Sequence, residues 1–164
     1  MPRTISPSFN AKHITRSFEQ TIHADPTRVF DLLCPVREGE WLDGWAYTLL
    51  HSESGLAEEG CVFLSRQKGE KDTIWMITKR DVQNREIEFV RVTPESRIAR
   101  LCIAVDEKAE SVSTVKITYV ITAICEQGNK FLEAFTQKNF EAGMKFWEAS
   151  MNYYLEKGKK LAKS

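Results

Sequence analysis

The hydrophobic pattern of this chain of 164 residues changes abruptly near Gly128. Before that point apolar residues recur at every second position in short runs, and after it they recur every three to four positions. That spacing is typical of an amphipathic helix and predicts one continuous helix from about Gln127 to Lys160. At about 1.5 Å per residue such a rod is roughly 45 Å long, enough to cross a whole sheet. Its apolar face consists of Phe131, Leu132, Phe135, Phe140, Met144, Trp147, Met151, Tyr154 and Leu155.

The region before this helix predicts an antiparallel sheet of about seven strands. An alternating stretch from His13 to His23 is the first strand. Short turn signals separate six further runs of strand length, which are 45–52, 60–66, 72–83, 85–93, 96–107 and 111–124. Connections this short join neighbouring strands as hairpins, so the six runs form a meander.

Two short helices are predicted between the first strand and the meander. Asp25 can cap a helix whose first residue is Pro26, and an apolar stripe follows. We expect Pro35 to end this helix, because proline disrupts a helix interior. A second short helix then runs from Val36 to Leu42, before Gly44.

Length and charge limit the classes of protein to which this chain can belong. A chain of 164 residues is the size of one ordinary domain, which we place at residues 12–164 behind a flexible leader of residues 1–11. Lysine plus arginine equals aspartate plus glutamate at 23 each, so the chain lacks the positive charge that attracts nucleic acid. No apolar run is long enough for a membrane span. We therefore expect no nucleic-acid partner and no membrane span.

The cysteines Cys34, Cys61, Cys102 and Cys125 are scattered and show none of the spacings of a zinc site. The sequence also lacks the motifs of a nucleophile elbow, a phosphate-binding loop or a zinc hydrolase. We therefore predict no metal and no cofactor. Three of the cysteines fall in apolar runs, where a reduced thiol acts as a small hydrophobe, and this indicates a cytoplasmic location.

Three segments of the chain carry a resemblance to a known superfamily. They are Ile22-His23-Ala24-Asp25-Pro26-Thr27-Arg28-Val29-Phe30, Gly60-Cys61-Val62-Phe63 and Thr73-Ile74-Trp75-Met76-Ile77-Thr78. Together with the order of elements, they resemble the START-like or Bet v 1-like (SRPBCC) superfamily, and within it the bacterial proteins grouped with polyketide cyclases and dehydratases. The resemblance implies an α+β helix-grip fold, β-α-α-β6-α, whose curved antiparallel sheet wraps around the long C-terminal helix.

The same resemblance implies a cavity between the sheet and the last helix that receives a lipid, polyketide or steroid-like molecule. Superfamily members include carriers, regulators, cyclases and hydrolases, so three functions stay open. The first is the binding or carriage of an apolar small molecule. The second is a polyketide cyclase or dehydratase type of enzyme that uses the same cavity. The third is a regulatory or co-chaperone-like interaction module. We expect a monomer or a homodimer.

Candidate ligand contacts are the bulky residues on the predicted inner surfaces, because small-molecule pockets are mostly apolar and aromatic. Filling of the core is the alternative role for each aromatic residue. A glycine inside a helix lowers helix stability, so Gly143 indicates a close approach to the sheet or space kept for a ligand, and the alternative is a surface glycine without a role. The predicted ligand contacts are Trp45, Tyr47, Phe63, Trp75, Arg100, Tyr119, Phe140, Gly143, Met144 and Trp147.

Polar side chains at apolar strand positions are the candidates for chemistry. His51 alternates with Trp45 and Tyr47 and can transfer a proton, but it lies at a strand end, where solvent exposure is the alternative. Tyr119 can offer its hydroxyl to a ligand. Arg91 and Arg100 can each hold a ligand carboxylate. A structural ion pair or a solvated outer face is the alternative for both arginines. The catalytic candidates are His51, Tyr119 and Arg91.

The segment 37–45 is dense in acidic residues and tryptophan. Trp41 can cover the mouth of the cavity as a lid, and Glu38, Glu40 or Asp43 can act as an acid or base if it is desolvated. We favour the alternative of a solvated segment with one docked tryptophan.

Overall fold

A computed structural model describes residues 9–164, which form one seven-stranded sheet and four helices. The elements are β1 (His13–Ile22), α1 (Pro26–Leu32), α2 (Pro35–Trp41), β2 (Tyr47–His51), β3 (Val62–Ser65), β4 (Thr73–Asp81), β5 (Glu86–Thr93), β6 (Arg97–Ala109), β7 (Val112–Ala123), α3 (Glu126–Ala134) and α4 (Gln137–Lys157). The sheet order is β1-β7-β6-β5-β4-β3-β2 with every neighbouring pair antiparallel. The predicted α+β helix-grip fold is confirmed.

Most of the leader predicted at residues 1–11 lies outside the described residues. The described end of it is tied to α3 by one asparagine. The Asn129 side chain accepts a hydrogen bond from the Lys12 amide at 2.8 Å and donates one to the Asn10 carbonyl at 2.9 Å. The chain is therefore attached to α3 just before it enters β1.

The sheet has one buried face and is bent by irregular pairings. The pairing register shifts between β2 and β3, between β4 and β5, and between β6 and β7. Each such bulge bends the strand and increases its twist. In β6 the buried positions are Arg97, Ala99, Leu101, Ile103 and Val105, and the residues between them face outward or are only partly buried. The buried face curves toward α4.

Two proline residues begin the two short helices. Pro26 follows Asp25, whose side chain accepts a hydrogen bond from the Arg28 amide at 3.1 Å, as an N-cap should. Pro35 begins α2 and does not end α1, which already stops at Leu32. The prediction for Pro35 was wrong because proline suits the first helical position, where its missing N–H would have had no partner.

The last part of the chain forms two helices, and the prediction of one continuous helix from Gln127 to Lys160 is wrong. Thr136 is extended, with φ −69° and ψ 162°, and its side chain accepts a hydrogen bond from the Asn139 amide at 3.2 Å. This threonine caps α4 and separates it from α3. Apolar residues continue across the break, so their periodicity does not reveal it. Gly158 ends α4 in a left-handed conformation, with φ 69°.

Polar side chains of α4 attach the helix to the free edge of β1, which is paired only with β7. Glu148 accepts a hydrogen bond from the Thr21 amide at 2.7 Å. Asn152 accepts one from the His23 amide at 2.8 Å and donates one to the Thr21 carbonyl at 3.0 Å. An unpaired strand edge attracts other strands unless something covers it. Here α4 covers that edge, and the edge in turn fixes the position of α4.

Gly128 marks the point where α3 touches the sheet. A Cβ atom at this residue would lie 1.9 Å from the backbone oxygen of Ser96. That distance is far inside van der Waals contact, so no other residue fits without moving the backbone. Gly143, in α4, is the opposite case, because a Cβ atom there would meet nothing within 4 Å.

These two glycines provide a matched pair of substitutions. We expect Gly128→Ala to lower the free energy of unfolding by about 1–3 kcal/mol, because the added methyl group overpacks against backbone. We expect Gly143→Ala to raise it by up to about 1 kcal/mol, because alanine favours a helix and space is free. Thermal and urea denaturation measure both. Equal effects of the two variants would contradict the close contact at Gly128.

Candidate functional site

A cavity of about 610 Å³ lies between α4 and the buried face of the sheet. Its volume falls within the roughly 300–1,000 Å³ of typical small-molecule sites. Strands β3 to β7 supply one wall, α4 supplies the opposite wall, and the end of α2 with the segments 42–45 and 66–68 forms the rim. Of the predicted ligand contacts, the structure places these in the lining: Trp45, Phe63, Trp75, Tyr119, Phe140, Gly143, Met144 and Trp147.

Packed aromatic rings form the wall on the sheet side. The Trp75 ring stacks on Phe63 with centroids 5.4 Å apart and meets the Phe89 ring edge-on at 5.8 Å. Its indole nitrogen donates a hydrogen bond to the Ser65 hydroxyl at 2.7 Å. Trp45 closes this group from the rim, 6.4 Å from Trp75. The wall is therefore rigid, and its polar indole atom is already satisfied.

A second aromatic group joins the sheet to the helices. The Tyr119 and Phe140 rings meet edge-on with centroids 5.4 Å apart, and Phe135 lies 5.9 Å from Phe140. Gly143 lines the cavity and is exposed to solvent. An added Cβ atom there would meet nothing within 4 Å, so this glycine lies at the open side of the cavity and does not mark a close approach to the sheet.

Arg91 lies in this aromatic surrounding without an acidic partner. Its guanidinium carbon is 5.0 Å from the Trp75 ring centroid and 5.0 Å from that of Tyr119. Its Nε atom is buried and has no hydrogen-bond partner among the described residues. Burial lowers the pKa of Arg91 from its ordinary value, although the nearby Tyr119 opposes this effect. The inward facing inferred for Arg91 agrees with its position in the lining.

Glu38 brings a second titratable group to the cavity from α2. Its side chain is buried, with 6% of the residue exposed, and it lines the cavity. Burial raises the pKa of Glu38 to about 8. None of the hydrogen bonds or salt bridges between described residues involves its carboxyl group. The carboxyl is therefore neutral at pH 7, and it can donate a hydrogen bond or exchange a proton close to that pH.

Burial and the charges of both Arg91 and Glu38 affect the pKa of Tyr119. Burial raises the pKa of its hydroxyl, Arg91 lowers it and Glu38 raises it further. No hydrogen bond among the described residues uses this hydroxyl. Three titratable side chains without fixed partners, Glu38, Arg91 and Tyr119, thus share one largely apolar cavity.

The inward facing predicted for Arg100 is wrong. Arg100 and Ile98 are exposed, whereas Ala99 and Leu101 are buried. The prediction took Ile98 as a marker of the inner face, but this isoleucine is 40% exposed on the outer face. Because side chains alternate between the two faces of a strand, taking Ile98 as an inner residue assigned Arg100 to the wrong face as well.

His51 and Tyr47 also lie outside the cavity lining, contrary to prediction. His51 is exposed, and the pairing register of β2 shifts between Leu49 and His51, which breaks the alternation that the prediction used. Tyr47 is 36% exposed and stacks against Trp45, with ring centroids 6.4 Å apart. It supports a rim residue from outside.

Trp41 is a docked core residue and not a lid. It is fully buried, its indole nitrogen donates to the Leu32 carbonyl at 3.0 Å, and its ring meets Trp147 edge-on at 5.6 Å. Of the three acidic candidates in this segment, only Glu38 is buried. Glu40 forms an ion pair with Arg37 at 3.3 Å.

Several lining residues were not predicted. Phe89, Leu101 and Ile103 are apolar strand residues whose sequence signal is shared by the whole core. The basic rim residues Arg66, Lys68 and Lys163 lie in loops and at the chain end, where no periodicity indicates facing.

Residues 9–164 contain no cluster of three or more His, Cys, Asp or Glu side chains placed to hold a metal ion. None of the described helices combines the length and hydrophobicity that a membrane span requires. The four cysteines are free thiols, and Cys34 and Cys61 are buried.

Solved structures similar to this chain share its fold. Norcoclaurine synthase from Thalictrum flavum, in complex with dopamine and hydroxybenzaldehyde, has a TM-score of 0.68 at 12% identity, covering 99% of this chain and 96% of its own. A hypothetical protein from Helicobacter pylori has a TM-score of 0.70 at 9% identity, with 86% and 87% covered. Major latex-like protein 151 from Panax ginseng has a TM-score of 0.54 at 17% identity, with 70% and 82% covered.

At such low sequence identity, the structural similarity shows the fold alone, which is the Bet v 1-like helix-grip fold. No protein-family model matches the sequence, and no curated protein sequence matches it. A shared fold does not determine function, which depends on the residues of the cavity.

The raised pKa of Glu38 predicts a pH dependence of stability. The folded protein keeps this proton up to about pH 8, whereas the unfolded chain loses it near pH 4.5, so the free energy of unfolding falls as pH rises between these values. We expect Glu38→Gln to be more stable than wild type, with a difference that grows across this window, by at most about 1.4 kcal/mol per pH unit, and then levels off.

Urea denaturation at a series of pH values measures this difference. Glu40→Gln is the matched control, because Glu40 is exposed. Partial desolvation, the largest single effect, raises the pKa of Glu40, but the hydrogen bonds from Arg37 and Tyr154 together outweigh it and leave the pKa below its ordinary value. The effect of Glu40→Gln should not change between about pH 5 and pH 8. A Glu38→Gln effect that is equally flat would show that Glu38 is ionised in the folded protein.

Proposed function

We propose that this protein binds an apolar small molecule in the cavity between α4 and the sheet. The observation that carries the proposal is a cavity of about 610 Å³ with aromatic walls. Protein interiors are normally packed as densely as organic crystals, and voids larger than a water molecule are few. An apolar space of this size is therefore expected to be filled by something other than the protein.

The glycine in the helix wall supports the same proposal. Gly143 lies inside α4, where alanine would stabilise the helix, and a larger side chain would meet free space. A residue that only served stability would be larger. Gly143 keeps the cavity open opposite the aromatic wall.

The comparison with norcoclaurine synthase also supports it, since that structure contains dopamine and hydroxybenzaldehyde, two small aromatic molecules. The free thiols of this chain fit a reducing compartment, and we include a cytoplasmic location in the proposal.

N-phenyl-1-naphthylamine, an uncharged probe that fluoresces in apolar surroundings, tests the binding. We expect wild type to bind it and Gly143→Leu to bind at least about tenfold more weakly, because the new side chain occupies the cavity. Ala142→Leu is the matched control, since Ala142 is the preceding residue of α4, is exposed and does not line the cavity. Absence of binding to wild type, or equal binding to both variants, would contradict the proposal.

A second candidate function is an enzyme of the cyclase or dehydratase type, and Glu38 is the observation that favours it. A carboxyl group with a pKa of about 8 that lines the same cavity as Tyr119 can remove or return a proton near neutral pH. Ring closure and water loss in polyketide-like molecules both require such transfers. Arg91 would stabilise negative charge that develops on oxygen.

The base-induced opening of 5-nitrobenzisoxazole reports on this reactivity without knowledge of the substrate. A carboxylate takes the ring C–H proton, the N–O bond breaks, and a coloured cyanophenolate forms. We expect the rate to rise with pH up to about 8, as Glu38 ionises, and to fall to the buffer rate in Glu38→Gln. Glu40→Gln should behave as wild type. An unchanged rate in Glu38→Gln would remove Glu38 as the base.

A further inference from the structure

The interior of the cavity contains a positive charge that the protein does not neutralise. The partly buried arginines Arg16, Arg37 and Arg85 and the buried Arg97 each donate a hydrogen bond to an oxygen, and Arg80 lies 4.0 Å from the Asp31 carboxylate. Arg97, for example, forms two hydrogen bonds with Glu70, at 2.9 and 3.2 Å. Arg91 differs from all of these, because no hydrogen bond or salt bridge among the described residues involves it. Among the described arginines that are at least partly buried, Arg91 is therefore the one whose guanidinium has neither a hydrogen bond nor an ion pair.

Glu38 does not act as the missing partner. It forms no salt bridge with Arg91, and burial favours its neutral form. The two rings that flank Arg91, Trp75 and Tyr119, attract its charge through their faces at 5.0 Å but accept none of its N–H groups in conventional hydrogen bonds. The planar guanidinium is thus packed against two rings, and none of its N–H groups donates a hydrogen bond to a described residue.

A charge withdrawn from water without a partner destabilises a fold, so a group that supplies the opposite charge on binding gains a correspondingly strong interaction. Arginine suits a carboxylate best, because its N–H groups match the two oxygens. The rim adds charge of the same sign through Lys68, Lys163 and Arg66, of which Arg66 forms an ion pair with Asp72. The acidic rim residue is Asp43. A positive rim attracts an anion into the cavity.

We propose that the ligand of this cavity is an apolar organic acid, whose hydrocarbon or aromatic body fills the space between Trp75 and Gly143 and whose carboxylate pairs with Arg91. This inference rests on the proposed binding function and narrows it to one class of ligand. Arg91 is then the residue that determines specificity, and it distinguishes acids from neutral molecules of the same shape.

The experiment compares 2-naphthoate with 2-naphthalenemethanol, which differ in the acid group alone. Each displaces N-phenyl-1-naphthylamine, and the displacement gives its affinity. We expect wild type to prefer the acid by about tenfold or more, as charge-assisted hydrogen bonds require. Arg91→Met should remove this preference, so that the ratio of the two affinities falls to about one, because methionine has an apolar body of similar length but no charge. Arg100→Met is the control: it removes an exposed arginine of the outer face and should keep the preference.

Thermal denaturation of the same variants separates binding from folding. Removal of an unpaired buried charge should leave the melting temperature of ligand-free Arg91→Met unchanged or raised. Arg91→Lys, which keeps the charge without the planar group, should retain part of the preference. Equal wild-type affinity for acid and alcohol, or a preference that survives in Arg91→Met, would overturn the inference while leaving apolar binding intact. Failure of the naphthylamine to bind wild type would instead contradict the proposed function itself.

Discussion

The hydrogen bonds between α4 and the free edge of β1 determine where everything else in this molecule lies. Backbone groups of Ser17, Thr21 and His23 point away from β7, and side chains of Gln137, Glu148 and Asn152 satisfy them. Because these polar contacts fix the helix along one edge of the sheet, α4 need not pack closely against the middle of the sheet. The space that remains there is the cavity.

The interior of that cavity is organised at a cost to stability. A neutral acid, an unpaired guanidinium and a buried phenol lie among aromatic rings, and a core of apolar side chains would be more stable. The Trp75 ring packs against the Arg91 guanidinium, while α2 contributes Glu38 to the same cavity. The three polar groups give an otherwise apolar space the means to orient a ligand, which ordinary packing would not require.

Much of the fold followed from local sequence rules, and the failures have physical causes. Asp25 and Pro26 mark a helix start because capping is a local interaction, and the strands followed from alternation and turn residues. The break between α3 and α4 was missed because the apolar pattern continues across it, while a single capping residue, Thr136, begins the new helix. The facing of Arg100 and His51 depended on parity, which an exposed Ile98 and a bulge in β2 overturned. For the site, the aromatic lining was largely predictable, but the raised pKa of Glu38 depends on burial that only the assembled structure provides.

A crystal structure of the protein with 2-naphthoate would show whether Arg91 binds the acid group inside the cavity. We expect electron density for the naphthalene ring between the Trp75 wall and α4, with both carboxylate oxygens within hydrogen-bonding distance of the Arg91 guanidinium. Density for the acid at an outer surface, or in the cavity with its carboxylate turned away from Arg91, would contradict it.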